Sequence, residues 1–533
     1  MTPRQTENPC TPRVDAPEVR LDGETLSLED VRRAARGEAR VAVAEESRLR
    51  IDRARAYVDK IVSEGQVVYG VTTGFGKFAD VSIDQSEVLE LQRNLVLSHC
   101  CGVGVPLDAE EARALMVLRA NVLAKGYSGA RYAVLETLVE MINRGVYPHV
   151  PAKGSVGASG DLAPLAHLAA VIIGEGRAWV DGEWASGAAA MKAAGIEPLV
   201  LEAKEGLALI NGTQLMSGLG TLTLLAAENL LKCCDIAGAM TLEALRGTDA
   251  PYLPRTQEVR PHRGQMVTAG NLMRLLQGSE ILPSHRDDEL DKRVQDAYSL
   301  RCMPQVHGAA KDALGFVRRV LEVEVNSATD NPLVFPEAEL IVSGGNFHGQ
   351  PVSQALDFLA VALTYSGGIA ERRVEYLLDP ATSERLPAFL TPRGGINSGL
   401  MIPQVTAAAL VSENKTLAHP ACVDSIPTSA NKEDYVSMGA FAARKAVDVI
   451  KNTTWVVAVE MLAAAQALEF GEGLRPGHGV QAAYRLIRQT VPPLVEDRPQ
   501  TPDIEAIAEL MSSERLCGAV EEAVGRLELV TAM

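Results

Sequence analysis

Ala158-Ser159-Gly160 is a tripeptide whose own backbone could react. It lies in Gly154-Ser155-Val156-Gly157-Ala158-Ser159-Gly160-Asp161-Leu162-Ala163-Pro164-Leu165, with three glycines and two serines in the first seven residues. Glycine reaches backbone conformations that strain other residues, so such a stretch can fold tightly on itself. The plainer reading is a loop capped by Asp161, with a helix starting near Leu162 and Pro164 in its first turn. Other polar groups stand among apolar segments: Tyr69, Ser98-His99, Asn211-Gly212-Thr213, Gln295 to Arg301, Gly345-Asn346-Phe347-His348-Gly349 and Lys432-Glu433-Asp434-Tyr435. Each alone has a structural explanation. Asn211 could be a satisfied core amide, Glu433 and Asp434 a solvated face. Gln295, Tyr298 and Arg301, spaced i, i+3, i+6, could share one helix face.

Several chemistries are disfavoured. The nine histidines are scattered with no H-E-x-x-H, and neither a G-x-S-x-G elbow nor a phosphate loop occurs. Gly74-x-Gly76-x-x-Ala79 superficially resembles a dinucleotide fingerprint, but no helix is expected to open there and no βαβ pattern surrounds it. A glycine-rich loop bearing Tyr69, able to act as a lid, fits better. The eight cysteines include the neighbours Cys100-Cys101 and Cys233-Cys234 but no C-x-x-C, which argues against structural zinc and for a reduced, cytoplasmic protein. A formal charge of −17 argues against nucleic acid or anionic membrane as partner.

The elements that must position these groups are mostly helical. At 533 residues, two or three structural units are expected. Residues 1–19 read as a disordered tail without a signal peptide, 20–203 as an N-terminal domain, and 204–533 as a long-helix bundle with C-terminal helices. Arg20 to Leu26 alternates around Asp22-Gly23, a hairpin signal. Ser27 caps a helix ended by Gly37, and a second helix stops at Gly65. Val67 to Val71 is strand-like. Helices follow over about Gln85–His99, from the capping box Asp108-x-x-Glu111 to Gly126, and on to Gly145. A strand pair surrounds Trp179 and Trp184, before a polar connection to Pro198. Gly206 to Ala227 runs 22 residues without a charge; its Asn211, Thr213, Gln214 and Ser217 favour a buried core helix over a membrane span. No proline occurs between Pro198 and Pro251, Pro351 and Pro380, or Pro427 and Pro476, which leaves room for very long helices.

Taken together, the stretch Gly154 to Leu168 and the scattered clusters resemble the aromatic amino-acid ammonia-lyase family, over nearly the whole chain from Val19 onward. The resemblance implies a mainly α fold: an aspartase/fumarase-like central bundle of long helices, with a smaller N-terminal α+β domain. It implies a prosthetic group made from the chain itself, 4-methylideneimidazole-5-one (MIO), and no external cofactor or metal. Its formation explains the residue types. The Gly160 nitrogen attacks the Ala158 carbonyl carbon, closing a 5-imidazolinone cross-link between Ala158 and Gly160. Ser159 loses its hydroxyl to become 2,3-didehydroalanine. The exocyclic methylene is then an electrophile such as no side chain supplies. The substrate's amine, or in an older view its ring, adds there before a base takes the β-proton. Tyr69 matches that base. A free tyrosine titrates near pH ~10, so neighbours would have to lower it. Arg301 matches the arginine that holds the substrate carboxylate. Asn211, Gln295, Tyr298 and Asn346 match polar residues around the prosthetic group and substrate, and Phe347 an aromatic pocket residue.

Two positions bear on the substrate. Ser98-His99 is the pair found in the family's histidine-specific branch, where His99 would hydrogen-bond an imidazole; some tyrosine aminomutases share it. Glu433 stands where phenylalanine, tyrosine and aminomutase relatives usually carry glutamine. A carboxylate suits an imidazole N–H; against a phenyl ring it would be buried unpaired, at a cost of roughly 3–5 kcal/mol. Tyr435 departs from the branch, which usually has histidine there. The expected reaction is non-oxidative loss of ammonia from L-histidine to give trans-urocanate, the opening step of histidine breakdown, in a cytoplasmic homotetramer with shared active sites. The alternative is a tyrosine or phenylalanine ammonia-lyase or a 2,3-aminomutase.

Overall fold

The computed structural model describes residues 11–530 except Ala79, 286–293 and the side chain of Gln85. Residues 1–10 of the expected tail, and the Ala79 of the dinucleotide-like match, lie outside the described residues. The chain forms two compact units. The first comprises the chain up to Leu222, Arg319–Asp357 and Pro420–Arg444; the second comprises Thr223–Arg318, Phe358–His419 and the chain from Lys445.

In the first unit, strand β1 (Glu18–Leu21) pairs in parallel with β2 (Arg40–Val43), and helix α1 (Leu28–Ala35) lies between them in sequence. The expected tail therefore ends before Glu18, and the expected hairpin does not form. The Asp22 carboxylate accepts from the amides of Glu24 and Thr25 and from the Thr25 hydroxyl, which closes a local turn. Ser27 then caps α1 by accepting from the Asp30 amide. Helix α2 (Glu45–Ser63) buries Ala54, Val58 and Ile61 against Val71, Val88 and Val334. Val67–Val71 is not a strand. Tyr69 to Thr72 forms a turn in which the Thr72 hydroxyl donates to Gln66 O and accepts from the Val68 amide. β-Branched side chains favour a strand only where a partner strand exists, and among the described residues none pairs with it.

Helices α3 (Val88–His99), α4 (Ala109–Ala124), α5 (Tyr132–Asn143), α6 (Leu162–Ile172) and α7 (Gly187–Ala193) follow. α7, capped by Ser186, occupies the span expected to be a polar connection. The strands between them, β3 (Val103–Pro106), β4 (Tyr147–Pro148), β5 (Pro151–Lys153), β6 (Arg177–Val180) and β7 (Glu183–Ser186), form sheets of two and three strands, and Trp179 pairs with Trp184 as expected. α4 starts at the capping box of Asp108 and Glu111 and is buried throughout from Ala112. Its polar residues close the ends of other elements. The Arg113 guanidinium donates to Ala34 O and Ala35 O in the last turn of α1 and to Ile142 O in that of α5, supplying partners to carbonyls a helix end leaves open.

The uncharged run is two helices rather than one: α8 (Glu205–Ile210) and α9 (Gln214–Ala244, 31 residues), broken at Asn211-Gly212-Thr213. Gly212 has φ +154°, and a Cβ on it would lie 2.6 Å from Arg119 Nη1. The other proline-poor windows hold helices Gln350–Leu378 (29 residues) and Gly439–Leu468 (30 residues), and a further helix spans Met303–Glu324. The fold is thus mainly helical. Among the described residues no helix is long and apolar enough to cross a membrane.

Candidate active site

The first unit brings together the reactive tripeptide, Tyr69, Asn211 and Glu433. Gly160 has φ +72° and pairs with Gly212 through an isolated bridge. The contact is close enough that a Cβ on Gly160 would sit 2.1 Å from Gly212 O, so only glycine fits. Asn211 Nδ2 donates to Ser159 O (2.9 Å), and Ser159 Oγ donates to Glu433 Oε1 (2.8 Å). The other carboxylate oxygen of Glu433 accepts from Thr428 Oγ1 (2.8 Å). Three successive residues before Glu433, Ser429, Ala430 and Asn431, have positive φ. Such a run is strained for residues with a Cβ, and it turns the chain back so that Glu433 faces Ser159.

Asp161 does not cap α6 as expected. Its side chain makes no bond to that helix; instead it accepts from the amides of Leu215 (3.0 Å) and Met216 (3.1 Å) at the start of α9, and from Ser155 Oγ (3.1 Å). It therefore uses the positive end of the longest helix to anchor the tripeptide. Burial pushes its carboxyl up to about 7, against the opposing effect of these bonds. On the other side of the loop, Val156 O accepts from the Met438 amide and Gly157 O from Ser437 Oγ. The Met216 side chain fills the space left by the missing side chains of Gly157, Gly349 and Gly439.

Tyr69 is half-buried. Burial and the Glu433 carboxylate raise its phenol above the ordinary tyrosine value, against the backbone of Gly76. This is opposite to the direction expected of a base. The Tyr69 loop rests on the Glu433 segment at Gly76, where a Cβ would come within 3.0 Å of Ser429 Oγ.

Ser98 and His99 end α3. His99 Nδ1 lies 2.8 Å from Leu95 O, which can only accept, so Nδ1 carries a proton, and Nε2 is the ring nitrogen left to face a ligand. Asn346 and Phe347 lie in a turn closed by the His348 amide on Gly345 O. His348 Nε2 donates to Tyr435 O (3.1 Å), and its ring stacks on Tyr435 at 6.2 Å, which ties this turn to the Glu433 segment.

Gln295, Tyr298 and Arg301 belong to the second unit. They do not share a helix face: Tyr298–Arg301 is one turn of helix, and Gln295 sits in a bend before it. The Arg301 guanidinium lies 4.5 Å from the Tyr298 ring centroid. Among the described residues no carboxylate pairs with it, and its Nε is buried without a hydrogen-bond partner.

Arg119 escaped the sequence reading. Wholly buried in α4, it donates from Nη1 to Asn211 O (2.6 Å) and Gln214 Oε1 (2.9 Å), fixing the break that carries Asn211; burial pushes it down to about 10. The available signal was a lone arginine in the apolar run Ala114-Leu115-Met116-Val117-Leu118-Arg119-Ala120.

The chain matches the aromatic amino acid lyase family over residues 26–489. It is 54% identical to histidine ammonia-lyase of Caldanaerobacter subterraneus subsp. tengcongensis, covering 94% of this chain and 98% of that one. It is equally identical to histidine ammonia-lyase of Myxococcus xanthus, covering 95% and 99%. Among solved structures, histidine ammonia-lyase from Trypanosoma cruzi superposes with a TM-score of 0.88 at 43% identity, covering 95% and 96%. Tyrosine aminomutase from Streptomyces globisporus gives 0.90 at 41%, covering 96% and 100%. With matches of this extent on both sequence and fold, the chain belongs to the aromatic amino acid lyase family, and its ammonia-lyase relatives make it a carbon–nitrogen lyase.

Proposed function

We propose that this chain is a histidine ammonia-lyase, which eliminates ammonia from L-histidine to give trans-urocanate, in the cytoplasm and as a homotetramer with shared sites. The observation that carries the reading is Glu433 on the Ser159 hydroxyl, at the tripeptide and not on a solvated face. The residues present fit a 4-methylideneimidazole-5-one. Gly160 leaves its nitrogen without steric cover from a side chain, Asn211 Nδ2 holds the Ser159 carbonyl, and the buried Asn211 Oδ1 still lacks a partner. That group, once formed from Ala158, Ser159 and Gly160, supplies an electrophile for activating a poor amine leaving group.

The chain's own residues do the rest. Loss of the Ser159 hydroxyl frees Glu433 Oε1 to accept from an imidazole N–H. His99 Nε2, when unprotonated, is an acceptor for the same class of donor, whereas a phenyl ring would leave the half-buried carboxylate without a donor. Arg301 takes the substrate carboxylate in a planar two-point contact. Arg301, Tyr298 and Gln295 enter the site through the tetramer. Tyr69 takes the β-proton. Its raised phenol is protonated at neutral pH, and a cationic substrate amine beside it lowers it again. The aminomutase reading has one observation in its favour, the tyrosine aminomutase structure at 41% identity.

One experiment separates these. The wild type and Glu433→Gln are incubated with histidine, tyrosine and phenylalanine, and urocanate, coumarate, cinnamate and β-amino acids are quantified. Urocanate from the wild type, lost in large part by the glutamine variant, is expected. Coumarate, cinnamate or a β-amino acid without urocanate would overturn the reading.

A further inference from the structure

A single helical turn such as Tyr298–Arg301 has no stability of its own, yet this one carries the guanidinium assigned above to the substrate carboxylate. Buried side chains of the second unit hold it. Tyr252 Oη donates to Leu300 O (2.9 Å), and Arg373 Nη1 donates to Ser299 O (3.4 Å). Tyr252 is 1% exposed and Arg373 not at all. Just upstream, the Asp296 carboxylate accepts from the Thr248 amide (2.7 Å).

Arg373 is itself immobilised. Its Nε and Nη2 bond to the two oxygens of Glu460, which also accepts from Thr241 Oγ1 (2.9 Å). Its Nη1 lies 3.4 Å from His307 Nε2, and His307 Nδ1 lies 2.9 Å from Asp235. A planar fork paired at two points in a dry interior has little freedom to rotate. The frame behind the turn is fully engaged, while the Arg301 guanidinium on it has no carboxylate partner among the described residues.

We propose that Tyr252 and Arg373 are positioning residues that set the place of the Arg301 guanidinium, and so the affinity of the site for ligands bearing a carboxylate. This rests on the reading of Arg301 given above. The hydroxyl–carbonyl bond of Tyr252 is the part that can be removed with least disturbance, because phenylalanine keeps the ring and its burial.

The test uses the full-length protein with Tyr252→Phe, and Arg301→Lys as the reference. Histidine kinetics are measured together with inhibition by imidazolepropionate, which has ring and carboxylate, and by imidazole, which has the ring alone. For Tyr252→Phe, KM for histidine and the inhibition constant of imidazolepropionate should rise about threefold to tenfold, the change that loss of one hydrogen bond produces. The inhibition constant of imidazole should stay unchanged, which a general loosening of the fold would not allow. Arg301→Lys should show the same carboxylate-selective loss, and more of it. If Arg301→Lys shows the loss and Tyr252→Phe does not, or if Tyr252→Phe weakens both inhibitors alike, the positioning role is overturned. If Arg301→Lys itself leaves imidazolepropionate binding intact, the carboxylate role of Arg301 falls, and the proposal with it.

Discussion

Two aspartates, both wholly buried, are held in opposite ways. Asp161 in the first unit is met by one hydroxyl and two backbone amides, and burial pushes its carboxyl up to about 7. Asp235 in the second unit suffers the same burial, yet its carboxyl lies below the usual range, because the Lys311 ammonium and the His307 ring bear on it. Neutral donors orient a carboxylate but do not replace the charge that water would have stabilised; an ammonium does. The difference follows the use of each region. Around the tripeptide, shape is set by glycine contacts and backbone donors, which leaves polar atoms such as Asn211 Oδ1 without a partner. Around Asp235 the charges satisfy one another, as suits a frame.

If that contrast is right, Asp235→Asn should be the more damaging of the two isosteric changes. It leaves the Lys311 ammonium in a dry interior without its counter-charge, at a cost of about 3–5 kcal/mol in denaturant unfolding. Gly160→Ala should rank next, at about 2–3 kcal/mol, because the new methyl would meet Gly212 O at a backbone conformation alanine resists. That variant should also keep the full intact mass, with no loss of two waters, and release no urocanate. Asp161→Asn should cost least, about 1–2 kcal/mol, since it alters hydrogen bonds without stranding a charge.

The two aspartates should also give stability opposite pH dependences. Asp161 binds its proton more tightly folded than unfolded, so its contribution is full below the unfolded value of 3.8 and is lost as pH rises toward about 7. Asp235 binds its proton less tightly when folded, so its contribution is full above 3.8 and is lost as pH falls through its lower folded value. His307, pushed down to about 4 mainly by burial, adds an acid-side loss between 6.5 and 4. Urea unfolding between pH 4 and 7 should therefore show a component that declines with pH in the wild type and is absent in Asp161→Asn. An unchanged slope in that variant would break the comparison.

What the sequence made legible is what neighbours in the chain decide. Ser27, the Asp108 and Glu111 box, and the glycines after α1, α2 and α4 end helices by local hydrogen bonds and local φ. The proline-poor windows hold the longest helices for the same reason. The tripeptide could be picked out because its chemistry needs small residues in immediate succession. Distant partners decided the rest. Asp161 reads as a cap until Leu215 and Met216 arrive from more than fifty residues away. Val67–Val71 has strand residues but, among the described residues, no strand to pair with, and β1 found β2 rather than a hairpin partner. For Tyr69, nothing near it in sequence reveals that burial, with Glu433 beside it, pushes its phenol the wrong way for a base.

The hydrogen bond from Ser159 to Glu433 joins residues 274 positions apart. A ribosome adding about 5–20 residues per second makes Ser159 roughly 14–55 s before it makes Glu433. For all of that interval the nascent chain holds the tripeptide without the carboxylate it will face. The finished neighbourhood is therefore a late event in the life of each molecule, and any truncation that stops translation before residue 433 releases a chain that lacks it however well the earlier helices have formed.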